Sequence, residues 1–544
     1  MQSNLSHILR RAQRAHESGD VAKAERLYNA ALQHAPRNFD ALHGLGLLHY
    51  GRGRFDTALV LIQKALQIDR GRADGFASLG LVFHGLRRFA DALASFDAGL
   101  RLAPDNAELL SRRAVALLEL RRPREALESL ERALSINPDH LDALGNYGNA
   151  LIKLNRPLEA LSAFDRALAV VPGNAQLLTN RAVVLRRLDR PLEAVMSASR
   201  ALISTPDFAQ ARFVESVARL TLGDFAAGWR GYEARWSVGL LALQRRGFAA
   251  PLWLGQESLE GKTILLHAEQ GFGDTIQFAR YAPLLAERGA KEVIVEVQRE
   301  LVRLLSGMAG IAAVIARGAT LPAFDLHCPL LSLPLAFATD AATIPANIPY
   351  IAPRDDDVAL WRARLPQRRP RIGLAWSGDR SHDNDLNRSL RLETLLPLLD
   401  LPGVSFVSLQ HEVREADTPI LRSCANVLVS GQAFRDFADT AAAIAGLDAV
   451  VSADTAVAHL AGAMGKPLLL LLPYAADFRW LRERRDSPWY PTARLYRQPK
   501  FGDWDSVIAA LRQDLLRQDL LRQDLLRRHV TRANLFPSAR KMSA

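Results

Sequence analysis

The sequence predicts two architectures in one chain: a solenoid of paired α-helices in the first half and an α/β region with parallel sheets in the second. Short apolar runs that alternate with helical stretches from Lys262 onward predict the α/β region. A chain of 544 residues is also too long for a single core. The solenoid is predicted by a spacing of 34 residues, broken only by Arg70, between prolines at positions 36, 104, 138, 172 and 206.

Small residues recur with the same period and indicate where the two helices of each unit approach closely. A unit of this kind has no core of its own, so it stacks on its neighbours and leaves a concave face that commonly grips another polypeptide. One position of the repeat holds Gly46, Gly80, Ala114, Gly148, Ala182 and Ser216.

The recurring small residues and the closing proline resemble the tetratricopeptide repeat. This resemblance implies a superhelix over residues 1–240 that binds a protein or other macromolecular partner on its concave face. Over residues 223–236 aromatic residues replace the small ones, which predicts a helix that caps the array.

Composition narrows the classes of function. The net charge of +11 invites a nucleic-acid partner, but basic and acidic residues are interleaved throughout, so we expect none. Cys328 and Cys424 lack partners at metal-binding spacing, so we expect no metal site, no disulfide framework and a cytoplasmic location. The first twenty residues lack the pattern of a secretory signal. The longest apolar run is about a third of the length that a transmembrane segment needs.

The α/β region reads as two Rossmann-like halves, residues 250–355 and 368–512, followed by a charged helical or disordered tail, residues 513–544. In the tail, Arg-Gln-Asp-Leu-Leu occurs three times in succession, and we expect no chemistry there. Ligands of such sheets bind beyond the carboxyl ends of the strands. The predicted strands are residues 263–267, 292–297, 371–376, 404–409, 449–451 and 468–472.

A strand-to-helix turn in the second Rossmann-like half is a candidate anion site. The helix begins near Thr455, where free N–H groups and the positive end of the dipole favour a diphosphate. His459 lies one turn further on and could meet a phosphate or sugar oxygen. The alternative is that Asp454 and Thr455 only cap the helix while His459 belongs to the core. The candidate residues are Asp454, Thr455, Ala456, Val457 and His459.

The corresponding turn in the first Rossmann-like half contains two glycines, Gly271 and Gly273, which let the backbone approach a ligand closely. Asp274 opens the next helix, and Gln277 follows one turn later as a further pocket candidate. Asp274 could equally serve only as the cap of this helix.

A loop between these turns follows the strand at 371–376. Ser377 and Gly378 could approach a phosphate, and Arg388 could bind it through two hydrogen bonds. Trp376 and Gln410 are candidates for the wall of a nucleotide pocket. After the last predicted strand come Asp477, Arg479 and Trp480, whose roles are open between structure and function.

The second-half turn resembles family 9 glycosyltransferases, the lipopolysaccharide heptosyltransferase type, which have the GT-B fold. The resemblance covers residues 261–510 and implies a nucleotide-diphosphate sugar held by the second half and an acceptor held by the first. It also implies that Asp274 is the general base. Where those enzymes usually carry a lysine, this chain has Arg388, which leaves the donor open. The matching residues are Asp454, Thr455, His459, Ala461, Gly465 and Pro467.

The order of the two regions is similar to that of O-linked N-acetylglucosaminyltransferases, in which a repeat superhelix precedes a GT-B half. Asn146 and Asn180 share one repeat position and resemble the asparagine ladder with which that family holds peptide backbone. The ladder is short, because earlier repeats carry Gly44, Ser78 and Arg112 at this position.

The sequence therefore predicts a metal-independent glycosyltransferase without a cofactor, which moves a sugar from a nucleotide donor to an acceptor recruited by the repeats. One alternative is a scaffold whose transferase half only binds. Another, a nucleotide-sugar epimerase, is disfavoured because the repeats suit a macromolecular partner.

Overall fold

The computed structural model describes residues 2–517, and over residues 2–232 the secondary structure is a series of α-helices. No helix in this described range is both long and apolar enough to cross a membrane. The helices are α1 (Gln2–Glu17), α2 (Val21–His34), α3 (Phe39–Gly51), α4 (Phe55–Ile68), α5 (Ala73–Gly85), α6 (Phe89–Leu102), α7 (Ala107–Glu119), α8 (Pro123–Ile136), α9 (Leu141–Lys153), α10 (Pro157–Val170), α11 (Ala175–Arg187), α12 (Pro191–Ser204), α13 (Ala209–Thr221) and α14 (Phe225–Tyr232).

The small residues of the repeat lie where helices of one pair touch, which confirms the predicted solenoid. A Cβ atom added to Gly80 would lie 2.4 Å from the ring of Phe96, and one added to Gly148 would lie 2.5 Å from Phe164. Side chains at these glycines would therefore force the paired helices apart.

The residues after the closing prolines start the next helix. Asn38 and Asn106, each two residues beyond a proline, accept hydrogen bonds from the N–H groups of Ala41 and Leu109, at 2.9 and 3.0 Å. Such N-caps satisfy donors that the first turn of a helix leaves free.

The chain divides into two compact units between Val184 and Leu185, inside α11. The second unit therefore begins before residue 240, where the helices give way to other elements. Within this second unit the cap helix α14 contributes Trp229, whose ring centroid lies 6.4 Å from that of Phe278 and 5.6 Å from that of Phe478. The aromatic residues that mark the end of the repeats thus pack into the core of the α/β region. The predicted domain limits at 240, 250–355 and 368–512 stay a prediction.

The α/β region contains two parallel sheets, as predicted. Strands in the first sheet lie in the order β3-β2-β1-β4 and in the second in the order β10-β9-β8-β5-β6-β7. The strands are β1 (Thr263–His267), β2 (Glu292–Val297), β3 (Ala313–Ala316), β4 (Leu326–Pro329), β5 (Arg371–Ala375), β6 (Ser405–Ser408), β7 (Val427–Val429), β8 (Ala449–Ala453), β9 (Leu468–Leu472) and β10 (Ala493–Arg497).

Adjacent strands β5 and β8 pair in parallel with Ala375 opposite Ser452. The loops that follow these strands therefore emerge side by side at the carboxyl end of the second sheet. The helices of this region are α15 (Gly239–Ala242), α16 (Phe272–Phe278), α17 (Ala282–Glu287), α18 (Val302–Leu305), α19 (Leu333–Ala336), α20 (Asp355–Arg364), α21 (Asp385–Arg388), α22 (Leu396–Leu399), α23 (Thr418–Ser423), α24 (Phe437–Ala445), α25 (Ala456–Ala463) and α26 (Trp504–Leu516).

The predicted tail begins inside a helix, because residues 513–516 complete the last turn of α26. Val507, Ile508 and Leu511 bury one face of this helix. The part of the tail from residue 518 onward, with most of the Arg-Gln-Asp-Leu-Leu repeat, lies outside the described residues.

Candidate functional site

The two predicted turns meet. Gly273, in the first turn of α16, faces the first turn of α25: an added Cβ would lie 2.7 Å from Cδ2 of His459 and 3.5 Å from Cα of Ala456. Glycine at 273 thus allows two helices, one from each half of the α/β region, to approach closely. At Gly271 the space is more open, and the nearest atom is Oδ2 of Asp274 at 3.6 Å.

Asp274 caps its own helix and also reaches the other half of the α/β region. Its Oδ2 accepts a hydrogen bond from the N–H of Gly271 at 3.2 Å. Its Oδ1 accepts one from Nη2 of Arg479 at 2.5 Å. One oxygen of this carboxylate therefore caps the helix, as the alternative interpretation expected, while the other forms an ion pair across the two halves of the α/β region.

Arg479 is buried, with 8% of its surface exposed, and each guanidinium nitrogen has its own partner. Nη2 binds Asp274, Nη1 donates to Oδ1 of Asp477 at 2.8 Å, and Nε donates to Oε1 of Gln277 at 2.8 Å. Arg479 and Asp477 follow β9, whereas Asp274 and Gln277 lie on α16. Gln277 is fully buried, so it contributes to this contact and not to an exposed pocket wall.

The first turn of α25 is partly open. Thr455 is the N-cap residue, but its side chain makes no capping hydrogen bond, and its Oγ1 lies 3.3 Å from Oγ of Ser452. The leading N–H groups of a helix lack partners within the helix, so those of Ala456 and Val457 remain available to an anion. Both residues are part-exposed.

His459 is a buried, uncharged residue. Its Nδ1 lies 3.0 Å from the hydroxyl of Tyr490, and its ring stacks on Trp480 with centroids 5.4 Å apart. Burial, assisted by the charge of Arg479, lowers the pKa of His459 to about 3. The imidazole is therefore neutral near pH 7, and it cannot attract a phosphate as a cation.

Asp454 and Asp477 titrate differently because Arg479 hydrogen-bonds to the carboxylate of Asp477, whereas Arg388 binds the backbone carbonyl of Asp454. Burial, then the negative charge of Asp477, raises the pKa of Asp454 to about 6. Burial also acts on Asp477, but Arg479 outweighs it by charge and hydrogen bonds, so the pKa of Asp477 lies below its usual range. Asp454 Oδ1 is 3.8 Å from Nε2 of His459. A carboxyl group that can gain a proton near neutral pH thus stands beside the open helix end.

Arg388 lies beside the same turn. Its Nη1 donates to the carbonyl oxygen of Asp454 at 3.2 Å, while its Nε is buried without a hydrogen-bond partner in the described part of the chain. A Cβ added to Gly378 would lie 2.7 Å from Nη2 of Arg388, so glycine at 378 makes room for the guanidinium. Oδ1 of Asp385 lies 3.9 Å from Nε, so the donors that Arg388 can offer a ligand are its remaining Nη–H groups.

Gln410 and Trp376 support this loop from behind. Oε1 of Gln410 accepts from the N–H of Ser377 at 3.1 Å, and Nε2 donates to its carbonyl oxygen at 2.9 Å. Trp376 is fully buried and donates from Nε1 to Asp417 at 2.8 Å. Gln410 thus fixes the backbone at Ser377, which is itself 4% exposed, while the Trp376 side chain is anchored to Asp417.

The asparagines of the repeats lie in the first unit. Nδ2 of Asn146 donates to Ser111 at 3.4 Å, and Nδ2 of Asn180 donates to Asn149 at 3.2 Å. Asn146 lines a groove of about 370 Å³. The other residues of the groove are Tyr50, Leu81, Glu108, Ser111, Arg112, Val115 and Asp142.

Sequence reasoning missed three side chains around the candidate site. Tyr490 contacts His459 from a segment without a recognisable motif. Tyr232, on the cap helix, is buried close enough to Arg479 and Asp274 for their charges to affect its pKa, which burial raises. Arg186, at the end of α11, lies near Asp477, and burial lowers its pKa to about 10. The ion pair of Asp189 with Arg482, at 3.1 Å, anchors the turn after α11.

Two families match separate parts of the chain. Tetratricopeptide repeats match over residues 15–79, 78–140 and 117–182. Glycosyltransferase family 9 (heptosyltransferase) matches over residues 406–480. The chain thus joins tetratricopeptide repeats to a segment that matches glycosyltransferase family 9, called the family 9 segment below. This segment contains the α25 turn and Arg479. It begins at residue 406, so Asp274 lies outside it.

Similar proteins cover parts of the chain. Protein FlbA of Caulobacter vibrioides is 28% identical over 323 residues, which are 55% of this chain and 54% of FlbA. The chain thus aligns with about half the length of this curated relative. Among solved structures, the repeat protein YrrB is 24% identical and covers 34% of this chain and 95% of its own, with a TM-score of 0.29. A repeat protein from Parabacteroides merdae is 17% identical, with coverages of 44% and 94% and a TM-score of 0.38.

Proposed function

We propose that the protein transfers a sugar from a nucleotide-diphosphate sugar to an acceptor, with a protein as the acceptor that best suits the repeats. One observation carries the proposal. The uncapped first turn of α25, inside the family 9 segment, is flanked by Arg388 and contacts the helix that bears Asp274.

The diphosphate of the donor would bind at the start of α25. The N–H groups of Ala456 and Val457 point toward the helix end, and the helix dipole adds positive charge there. Arg388 supplies positive charge and Nη–H groups beyond the one that binds Asp454. Together they balance the negative charge that grows on the leaving diphosphate, and we propose that transfer needs no metal ion and no cofactor.

Asp274 would accept the proton of the acceptor hydroxyl. The hydroxyl oxygen then bonds to the anomeric carbon, while the bond from that carbon to the diphosphate oxygen breaks and leaves its electron pair on the diphosphate. Each carboxylate oxygen has two lone pairs, so the hydrogen bonds from Gly271 and Arg479 leave acceptor capacity on Asp274. The carboxylate is also part-exposed, with 18% of its side chain accessible.

The repeats would recruit the acceptor. The groove that Asn146 lines contains acidic Glu108 and Asp142, basic Arg112, and side-chain amide and hydroxyl groups. Such a mixed surface can hydrogen-bond an extended peptide backbone while its charges select the sequence. Asn146→Ala should therefore weaken transfer to a macromolecular acceptor and leave binding of the nucleotide sugar unchanged.

A second candidate is a scaffold that binds a nucleotide sugar without transferring it. The engagement of both Asp274 oxygens favours this reading, because an acceptor hydroxyl would have to share them with the N–H of Gly271 and the guanidinium of Arg479.

Binding and turnover together separate the two candidates. A panel of nucleoside diphosphates and their sugar conjugates is titrated into the full chain by calorimetry, and transfer from each bound conjugate is then measured for wild type and Asp274→Asn. If the protein is a glycosyltransferase, both proteins should bind the nucleotide, and the transfer rate should be about two to four orders of magnitude lower in the variant. If the protein is a scaffold, both proteins should bind the nucleotide sugar and neither should transfer the sugar. If no nucleotide binds, both candidates are wrong.

A truncation tests the acceptor. Removal of residues 1–172 deletes α1 to α10 and keeps the Asp189–Arg482 ion pair, so the nucleotide sugar should bind normally while transfer to a macromolecular acceptor is lost. Removal of residues 1–208 deletes Asp189 as well and serves as the comparison. Full transfer after the shorter truncation would exclude the first five helix pairs from acceptor recognition.

A further inference from the structure

Arg479 has a geometry that suits orientation of another side chain. Its three nitrogens bind three different side chains, on Asp274, Gln277 and Asp477, at 2.5 to 2.8 Å. Its Cζ lies 4.5 Å from the ring centroid of Phe478, which restricts the plane of the guanidinium. Because the fork is planar and all three of its nitrogens are engaged, any rotation of Arg479 would break at least one of these hydrogen bonds.

The contact joins the two halves of the α/β region. Asp477 holds Arg479 from the same loop, where it also caps the turn at Phe478–Trp480 by accepting the N–H of Arg479 at 3.0 Å. Asp274 and Gln277 receive the guanidinium from α16, three residues apart on one helix face. The direction of the Asp274 carboxylate is therefore set partly by the half that carries the family 9 segment.

We propose that Arg479 is a positioning residue, which orients Asp274 toward the acceptor hydroxyl only when the two halves of the α/β region are in contact. This inference rests on the proposed function, because it takes Asp274 as the base. We do not assign Arg479 to the nucleotide sugar, since each of its three nitrogens already donates to a protein side chain.

A double-mutant cycle tests the proposal. Arg479→Met should lower kcat by roughly ten- to a hundredfold, because a carboxylate displaced by about 1 Å loses its near-attack geometry. The KM for the donor and the Kd for the nucleoside diphosphate should change less than threefold. In the Asp274→Asn background the same substitution should change kcat less than threefold, because the residue through which Arg479 acts is already lost.

Two further variants make the cycle decisive. Arg482→Met removes another arginine of the same loop, which pairs with Asp189 and not with Asp274, and it should leave kcat within threefold. Arg479→Lys keeps the charge but cannot reach three partners at once, so it should retain an intermediate kcat. If Arg479→Met fails to fold, Arg479→Lys takes its place in the cycle.

Each remaining outcome overturns the proposal. Equal losses of kcat in both backgrounds would show a general structural role. A change confined to KM or to nucleotide affinity would show that Arg479 binds the donor directly. Absence of transfer by wild type would instead overturn the proposed function, and this inference with it.

Discussion

The substitution Arg388→Ala tests the diphosphate site. Nη1 donates a 3.2 Å hydrogen bond to the carbonyl oxygen of Asp454, only 17% of the side chain is exposed, and the buried Nε makes no hydrogen bond among residues 2–517 but lies 3.9 Å from Oδ1 of Asp385. A charge-assisted hydrogen bond in such a setting contributes about 1.5–3 kcal/mol. The variant should therefore bind a nucleoside diphosphate roughly ten- to a hundredfold more weakly, as measured by calorimetry at fixed ionic strength.

Matched variants separate this effect from a general loss of positive charge. Arg391→Ala removes an exposed arginine three residues further on and should change the affinity less than twofold. Arg388→Lys keeps the charge without the fork and should fall between wild type and alanine. Equal affinities of wild type and Arg388→Ala would refute the reasoning and place the phosphates elsewhere.

Three other substitutions have defined outcomes. Asp454 gains its proton as the pH falls through about 6, so the affinity of wild type for a nucleotide should rise over that range. The increase should be about tenfold for each unit by which the bound ligand raises the pKa of Asp454. Asp454→Asn should lack this increase, and parallel pH profiles of the two proteins would contradict the prediction. Burial lowers the pKa of His267 to about 3, so below pH 6.5 the unfolded state binds a proton that the native state does not. His267 alone should therefore lower the stability of the native state by about 2 kcal/mol at pH 5.0 relative to pH 7.5, so the loss measured by urea unfolding should be smaller by about that amount in His267→Gln; an unchanged pH dependence would disprove this. Arg235→Met should destabilise the α/β region by about 3–5 kcal/mol because it leaves Glu269 buried without its 2.7 Å partner. The double variant with Glu269→Gln should recover part of that loss, and equal unfolding free energies of wild type and the single variant would exclude a structural role for the pair.

The strands that the sequence predicted are the interior strands of the two sheets. Thr263–His267, Glu292–Val297 and Leu468–Leu472 occur with the predicted limits. An interior parallel strand is covered on both faces, so it reads as a continuous apolar run. The strands that it missed are all at sheet edges and are short or part-exposed: Ala313–Ala316, Leu326–Pro329, Val427–Val429 and Ala493–Arg497.

The helix after β1 begins at Phe272, two residues before Asp274, which the sequence placed at its opening. The carboxylate of Asp274 bonds back to the N–H of Gly271, which stabilises a first turn that contains glycine. Hydrophobic periodicity does not report such a capping interaction, so only the position of the aspartate pointed to it.

The sequence identified the backbone turns of the candidate site more completely than their side-chain partners. Local spacing was enough to place Asp274 and Thr455 after strands. The ion pair of Asp274 with Arg479 spans 205 positions, and the contact of His459 with Tyr490 spans 31. Neither pairing has a local pattern, because both depend on how the two sheets and their loops pack.

Sugar transfer itself is the most direct test of the central claim, that the contact between the α16 and α25 turns forms a glycosyltransferase site. Radiolabelled nucleotide sugars that bind the full chain are incubated with macromolecular acceptors from an extract of the source organism, with wild type and Asp274→Asn compared side by side. The account predicts covalent incorporation of label by wild type and a decrease of about two to four orders of magnitude in the variant. Equal incorporation by the two proteins, or binding without any incorporation, would contradict it.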